Sequence, residues 1–144
     1  MKKLLMLMML AVSVFSVSAR DTYTRDVKVL PTAAQTVLKN NFKSSVSHIK
    51  IDKDLMTTEY DVVLNNGTEI TFDKDGNWKD VEMNNKTAVP SDFVPVNVAN
   101  YVKQNQKNAK IVGIEKDRGG YSVDLSNGVE IKFDKNGNFV RYDN

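Results

Sequence analysis

The chain has 144 residues, with 20 Lys and Arg against 18 Asp and Glu, one His, one Trp and no Cys. Without a thiol and with a single imidazole, disulfide bridges, thiol chemistry and zinc centres built from His and Cys are excluded. The near balance of charge excludes a general electrostatic affinity for nucleic acid or an anionic membrane surface, and no cofactor fingerprint, catalytic constellation or nucleophile elbow is present.

Residues 1–19 read as a secretory signal peptide. Lys2 and Lys3 form a short positive start, Leu4 to Val17 is almost wholly apolar, and Val17-Ser18-Ala19 places small residues where a signal peptidase cuts. Cleavage is therefore expected after Ala19. The apolar run is shorter than the ~20 residues a spanning helix needs, and no later stretch is apolar enough to cross a bilayer. The expected product is a periplasmic or secreted bacterial protein running from Arg20 to Asn144. Loss of Lys2 and Lys3 leaves eighteen basic and eighteen acidic residues. An exported domain without cysteine must hold together by its core alone, which suits a bacterial envelope better than a eukaryotic secretory route. Asn66-Gly67-Thr68 and Asn85-Lys86-Thr87 match the glycosylation acceptor pattern, a chance match in such a compartment.

Pro31 suits the first position of a helix, where its missing N–H is not needed. Ala34, Val37, Leu38 and Phe42 then recur at helical spacing. Four short strands are predicted next, on the alternating residues Ile49 and Ile51, then Tyr60, Val62 and Leu64, then Ile70 and Phe72, and last a strand starting at Trp78. Asn66-Gly67 predicts a two-residue hairpin with positive φ at both central positions, and Asp75-Gly76 predicts the next turn. Residues 84–93 are polar, carry Pro90 and read as a linker. Pro95 then opens a second helix with Val98, Tyr101 and Val102, but with Gln106 where the first has Phe42. Strands on Val112 and Ile114, on Tyr121, Val123 and Leu125, on Ile131 and Phe133, and from Phe139 complete the chain.

The second series repeats the first. Residues 65–78 (NNGTEITFDKDGNW) and 126–139 (SNGVEIKFDKNGNF) are identical at nine of fourteen positions without a gap, and YDVVL at 60–64 faces YSVDL at 121–125. Ile51-Asp52-Lys53-Asp54 aligns with Ile114-Glu115-Lys116-Asp117 if the turn differs by two residues, and Leu30-Pro31 aligns with Val94-Pro95. The expected fold class is α+β: a tandem repeat of one helix plus a four-stranded antiparallel meander, with copies at 20–83 and 94–144. Helix on one face of a sheet leaves the other face to solvent. On that open face the alternation places Lys50, Asp61, Val63, Glu69, Thr71 and Lys79 in the first copy, and Ser122, Asp124, Glu130, Lys132 and Val140 in the second. They form one broad mixed-charge surface if the two sheets join.

The leader, the Pro-headed helices and the repeated Tyr-x-Val-x-Leu and Asn-Gly-x-Glu-Ile-x-Phe-Asp-Lys-x-Gly-Asn patterns resemble the PepSY-like periplasmic proteins of Bacteroides-type bacteria, also described as β-lactamase-inhibitor-like. The resemblance covers essentially the whole chain after the leader. It implies a fold like that of the β-lactamase inhibitory protein, with helices on one side of an antiparallel sheet, and export to the periplasm or beyond. It implies a candidate face, the exposed sheet, and no established activity. No inhibitory residue carries over, because no inhibitory motif is matched.

Four features invite a sharper reading. Asp73-Lys74-Asp75-Gly76-Asn77 and Asp134-Lys135-Asn136-Gly137-Asn138 resemble the start of a calcium loop, but lack the distal bidentate Glu and are sufficient as hairpins. His48 has no catalytic neighbours in sequence and reads as a surface or edge residue. Trp78 and Phe139 occupy equivalent positions and read as core. Asp61 with Glu69, and Asp124 with Glu130, could be imagined as acid and base, but interleaved Lys and Thr favour a solvated face. The expectation is a non-enzymatic binding module with no cofactor and no metal. It docks an envelope protein or peptide through Lys50, Asp61, Glu69, Thr71, Lys79, Ser122, Asp124, Glu130 and Lys132, and possible roles include restraint of an exported hydrolase. A structural envelope protein, a small-ligand carrier and an enzyme of unrecognised type are the alternatives.

Overall fold

Four turns of one design set the strand plan. In the first, Gly67 N–H donates to the Leu64 carbonyl and Leu64 N–H to the Thr68 carbonyl, which puts Asn65 and Asn66 at the centre and leaves Gly67 at a φ of 87°. This is a three-residue loop closed by a glycine bulge, where the sequence predicted a two-residue hairpin. The turns at Gly76, Gly128 and Gly137 repeat it, with φ of 88°, 88° and 83°. Gly76 has a second reason to be glycine: a Cβ there would come within 2.9 Å of the Ala34 nitrogen, because the turn lies against the start of a helix.

A computed structural model describes residues 20–84 and 87–143; the leader with its cleavage point after Ala19, and Asn85 of the second acceptor pattern, lie outside the described residues. The strands are β1 (Arg20–Thr24), β2 (Val46–Lys53), β3 (Thr58–Leu64), β4 (Glu69–Phe72), β5 (Trp78–Glu82), β6 (Ile111–Asp117), β7 (Gly120–Leu125), β8 (Glu130–Phe133) and β9 (Phe139–Asp143). The helices are α1 (Thr32–Asn41) and α2 (Val96–Asn105), each preceded by a short 3-10 turn, at Val27–Val29 and Ser91–Phe93. Pro31 and Pro95 are extended N-cap residues just before the helices, one position earlier than predicted. Among the described residues, no helix is long and apolar enough to cross a membrane.

All nine described strands form one antiparallel sheet in sequence order, β1 through β9. The β5–β6 pairing, with Asp80 opposite Glu115, Val81 opposite Ile114 and Glu82 opposite Gly113, makes the sheet continuous. Register then aligns one apolar row across it: Ile49, Val62, Ile70, Val81, Ile114, Val123 and Ile131 stand side by side. All seven are buried in one cluster with Ala34 and Leu38 of α1 and Val98 and Val102 of α2. Each such side chain contributes about 1.5–3 kcal/mol relative to exposure, so this row is the main reason the sheet holds the helices.

Five details depart from expectation. β1 was not predicted: its RDTYT sequence pairs Thr22 and Thr24 with Ile51 and Ile49 and has no apolar face of its own. Register equates Ile49 with Ile114, since both face the matched valines Val62 and Val123. The predicted alignment of Ile51 with Ile114 is thus two residues off. The β2–β3 connection is the longer one, extended by an exposed segment that includes Leu55 and Met56. A bulge in β6 turns Ile111, not Val112, toward the core beside Ile114. Residues 87–93, read as part of a linker, are packed: Val89 N–H donates to the Ile111 carbonyl, and Val89 and Phe93 are buried. Finally, Trp78 is half-buried against Phe93, but its counterpart Phe139 is 40% exposed, where core was expected.

Candidate functional site

The side of the sheet opposite the apolar row is organised by the same register. One row crosses every strand: Tyr23, Lys50, Asp61, Thr71, Asp80, Glu115, Ser122, Lys132 and Arg141. The next row runs His48, Val63, Glu69, Glu82, Gly113, Asp124, Glu130 and Asp143. Eight of the nine residues singled out from sequence fall in these two rows. Lys79 is the ninth; it sits at the β5 bulge and reaches Glu59 of β3 in an ion pair.

Two of the nine are not solvent-facing. Lys50 is 8% exposed and pairs with Asp21 at 3.6 Å, and Ser122 is 7% exposed. They support the face rather than present it. Lys132 is held at 3.4 Å from Asp117.

Sequence reasoning missed Asp80, Glu82, Glu115, Arg141 and Asp143. For the four in β5 and β9 the cause is a bulge, where Phe72 faces Trp78 but Thr71 faces Asp80, and Phe133 faces Phe139 but Lys132 faces Arg141; Glu115 of β6 follows Ile114 by plain alternation and was legible. One inserted residue reverses the alternation, so counting by twos from Trp78 or Phe139 assigns the rest of the strand to the wrong side. With these residues restored, the two rows hold eight carboxylates: Asp61, Glu69, Asp80, Glu82, Glu115, Asp124, Glu130 and Asp143. The lysines and arginine among them are Lys50, Lys132 and Arg141. The face is acidic, not evenly mixed.

Burial and like charge set the local electrostatics. Desolvation pushes the Asp61 carboxyl above its ordinary range, opposed by the hydrogen bond that Thr71 Oγ1 donates to it at 2.8 Å and by the charge of Lys50. Glu69 is raised as well, first by burial and then by the charge of Asp61, while His48 opposes the rise. At the centre of the second row Gly113 faces Glu82, and a Cβ at Gly113 would come within 2.7 Å of the Glu82 carboxylate. The glycine makes room for that side chain to lie across the strand.

The remaining sequence candidates are accounted for locally. Asp73 Oδ1 accepts from the Asp75 and Asn77 amides, both at 2.9 Å, and Asp134 Oδ1 accepts from Asn136 and Asn138 at the same distance. Burial alone would raise Asp73, but these amide bonds outweigh it and hold the carboxyl low; at Asp134 the Asn138 amide is the main cause of the same lowering. The carboxylates therefore close their turns. Among the described residues, no three His, Asp or Glu side chains converge as a metal site. His48 is half-buried beside Ser47 Oγ at 3.3 Å, with the Tyr23 ring 6.4 Å away. Register sets Asp124 directly opposite Glu130, and Asp61 diagonal to Glu69. An open groove of about 610 Å³ lies on the first copy beside α1, lined by Arg25, Thr36, Phe42, Ser44 and Ser45 among others.

Comparison with known proteins gives a consistent relationship. The chain is 42% identical to a Bacteroides vulgatus ATCC 8482 protein described as a "putative periplasmic protein of unknown function", with a TM-score of 0.83 over 87% of this chain and 100% of that one. It is 37% identical to a Bacteroides thetaiotaomicron protein described as a "putative calcium-regulated periplasmic protein", with a TM-score of 0.80 over 86% of this chain and 97% of that one. A second B. vulgatus ATCC 8482 protein, described as a "putative periplasmic protein" of the DUF2874 family, is 38% identical with a TM-score of 0.79, over 90% of this chain and 100% of that one. No curated protein matches the chain. A family model described as "Putative beta-lactamase-inhibitor-like, PepSY-like" matches residues 16–62 and 58–141, and on that extent of match the chain belongs to the PepSY-like family.

Proposed function

We propose that this protein is an exported, non-enzymatic binding module that docks a protein or peptide of the cell envelope on the polar side of its sheet. In this reading the helices cover one face of the tandem repeat, and the other face is the docking surface, as in an inhibitor built like the β-lactamase inhibitory protein. One observation carries it: register lines up eight carboxylates across a single continuous sheet, through the β5–β6 junction. Such a surface favours a partner that presents positive charge, because complementary potentials steer encounter and reject like-charged competitors. An exported hydrolase with basic residues around its active-site cleft is one partner of that kind. The carrier reading has less support, since the groove beside α1 is open to solvent and has a mixed lining.

The test is differential capture from periplasmic extract. Wild-type protein is compared with a Glu69→Lys/Glu130→Lys variant at low and high salt. A partner held by wild type, lost to the variant and weakened by salt supports the reading. Capture of the same proteins by both forms removes the sheet face from consideration.

A further inference from the structure

The two copies treat equivalent strands differently. In the first copy, the three residues of β5 after its bulge, Asp80, Val81 and Glu82, pair antiparallel with β6. Their counterparts in the second copy are Arg141, Tyr142 and Asp143, which follow the same bulge in β9. Among the described residues, no strand pairs with the outer edge of β9. Its aromatic side is also uncovered: Phe139 is 40% exposed and Tyr142 41%. These rings are nevertheless ordered into a platform. Tyr101 stacks on Phe139 at 4.8 Å and 8°, and its hydroxyl shares a hydrogen bond with that of Tyr142 at 3.0 Å. The opposite end of the sheet is different, because β1 places Thr22 and Thr24 on the side of the apolar row, beside Ile51 and Ile49, and presents a polar edge.

We propose that β9 joins two copies of this chain, edge to edge and antiparallel, about a two-fold axis perpendicular to the sheet. The charge pattern selects a second copy as the occupant. Where β5 has two acids, Asp80 and Glu82, β9 has one base and one acid two residues apart. An edge strand with that spacing is complementary to itself when antiparallel: Arg141 faces Asp143 of the second copy, Asp143 faces its Arg141, and Tyr142 faces Tyr142. The intrachain contact of Arg141 Nε with Asp143 Oδ1 at 2.7 Å is then exchanged for two cross-strand pairs. The register uses the same three positions that β5 uses toward β6, so the bulge is no obstacle. Head-to-tail pairing of β9 with β1 lacks this match, and a two-fold pairing is closed, so assembly stops at two. Directly opposed residues share a face, so the two acidic surfaces lie on one side of an eighteen-stranded sheet, with the tyrosines on the other.

Three cross-strand pairs and a small aromatic platform make an interface at the low end of size, so association is expected between about 10 µM and 1 mM. Sedimentation velocity over that range, on full chain expressed with its leader and purified after export, reads the equilibrium. Wild type is expected to shift from monomer to dimer. Arg141→Asp and Asp143→Arg should each weaken the dimer at least about tenfold, and the double exchange Arg141→Asp/Asp143→Arg should restore it, because the reversed pair is again self-complementary. Hydrogen exchange supplies a second measurement on unsubstituted protein: amides of 141–143 should gain protection as concentration rises. A wild-type monomer at 1 mM, a dimer indifferent to the single reversals, or concentration-dependent protection at β1 instead of β9 overturns the proposal.

Discussion

Trp78 and Phe139 begin equivalent strands after nearly identical turns, and their surroundings differ completely. Trp78 meets the edge of Phe93 at 5.2 Å, and Lys116 Nζ lies 4.3 Å over its ring. Phe93 also meets Phe42, the C-cap of α1, with ring centroids 5.7 Å apart, so one ring from the segment joining the copies seals the end of the first. Among the described residues, the rings that meet Phe139 are those of its own copy, Tyr101, Phe133 and Tyr142. A repeat therefore fixes local geometry but not burial: whether an aromatic at a given repeat position is core depends on what the neighbouring copy lays over it.

The contrast predicts unequal costs for the same truncation. Phe93→Ala removes a buried ring from the junction and should destabilise the protein by about 3–5 kcal/mol. Phe139→Ala, at a half-open site, should cost under about 1.5 kcal/mol. Thermal melts of the two variants decide it. Equal losses would mean that the junction is no better packed than the free edge, and the comparison would fail.

Gly113 tests the same junction from the polar side. Its counterpart in the first copy is His48, since both precede the matched isoleucines Ile49 and Ile114 and face the residue before Leu64 and Leu125. One copy thus carries a side chain there, whereas at Gly113 a Cβ would have to push aside the Glu82 carboxylate, the end of a flexible side chain. Gly113→Ala is expected to cost about 1 kcal/mol, the overpacking being relieved as the Glu82 carboxylate swings aside. Combining it with Glu82→Ala should recover most of that loss. An unrecovered loss would place the strain in the backbone rather than in the Glu82 contact.

The repeat was legible in sequence because its turns are chemically demanding: a glycine at positive φ and an Asp that accepts two amides leave little freedom at those positions. The helices were legible through Ala34, Leu38, Val98 and Val102, and the core face of most strands through simple alternation. The bulges were not, because an inserted residue carries no composition of its own, and with them went Asp80, Glu82, Arg141 and Asp143. β1 was missed because its sequence has no apolar alternation: Thr22 and Thr24 pair with Ile51 and Ile49 of β2 but are themselves exposed or half-exposed. The joining of the two sheets depends on β5 meeting β6 across the intervening helix, a long-range pairing that no local pattern encodes. Half of the acidic face was therefore visible from the outset, and its sign was not.

The smallest expected effect concerns that sign. Asp61 of the first copy corresponds to Ser122 of the second, so one position in the same row carries a half-buried carboxylate and then a hydroxyl. Desolvation raises the folded-state pKa of Asp61. In the window between the ordinary carboxylate value, about 3.9, and the raised value, the folded protein binds more protons at this site than the unfolded chain. Stability from this group therefore falls as pH rises through the window, and the deficit persists above it. Asp61→Asn keeps an acceptor for Thr71 without the charge. It should leave the protein equal to wild type near pH 4 and more stable near pH 7, by under about 1 kcal/mol once solvent screening is allowed for. Melting both proteins across that range reads the gap directly. A gap of the opposite sign near pH 7, with wild type the more stable and the difference closing toward acid, would mean that the ionised form of Asp61 is favoured by its neighbours, with Lys50 and Thr71 outweighing burial, and the acidic rows would then be held by pairing rather than strained by it.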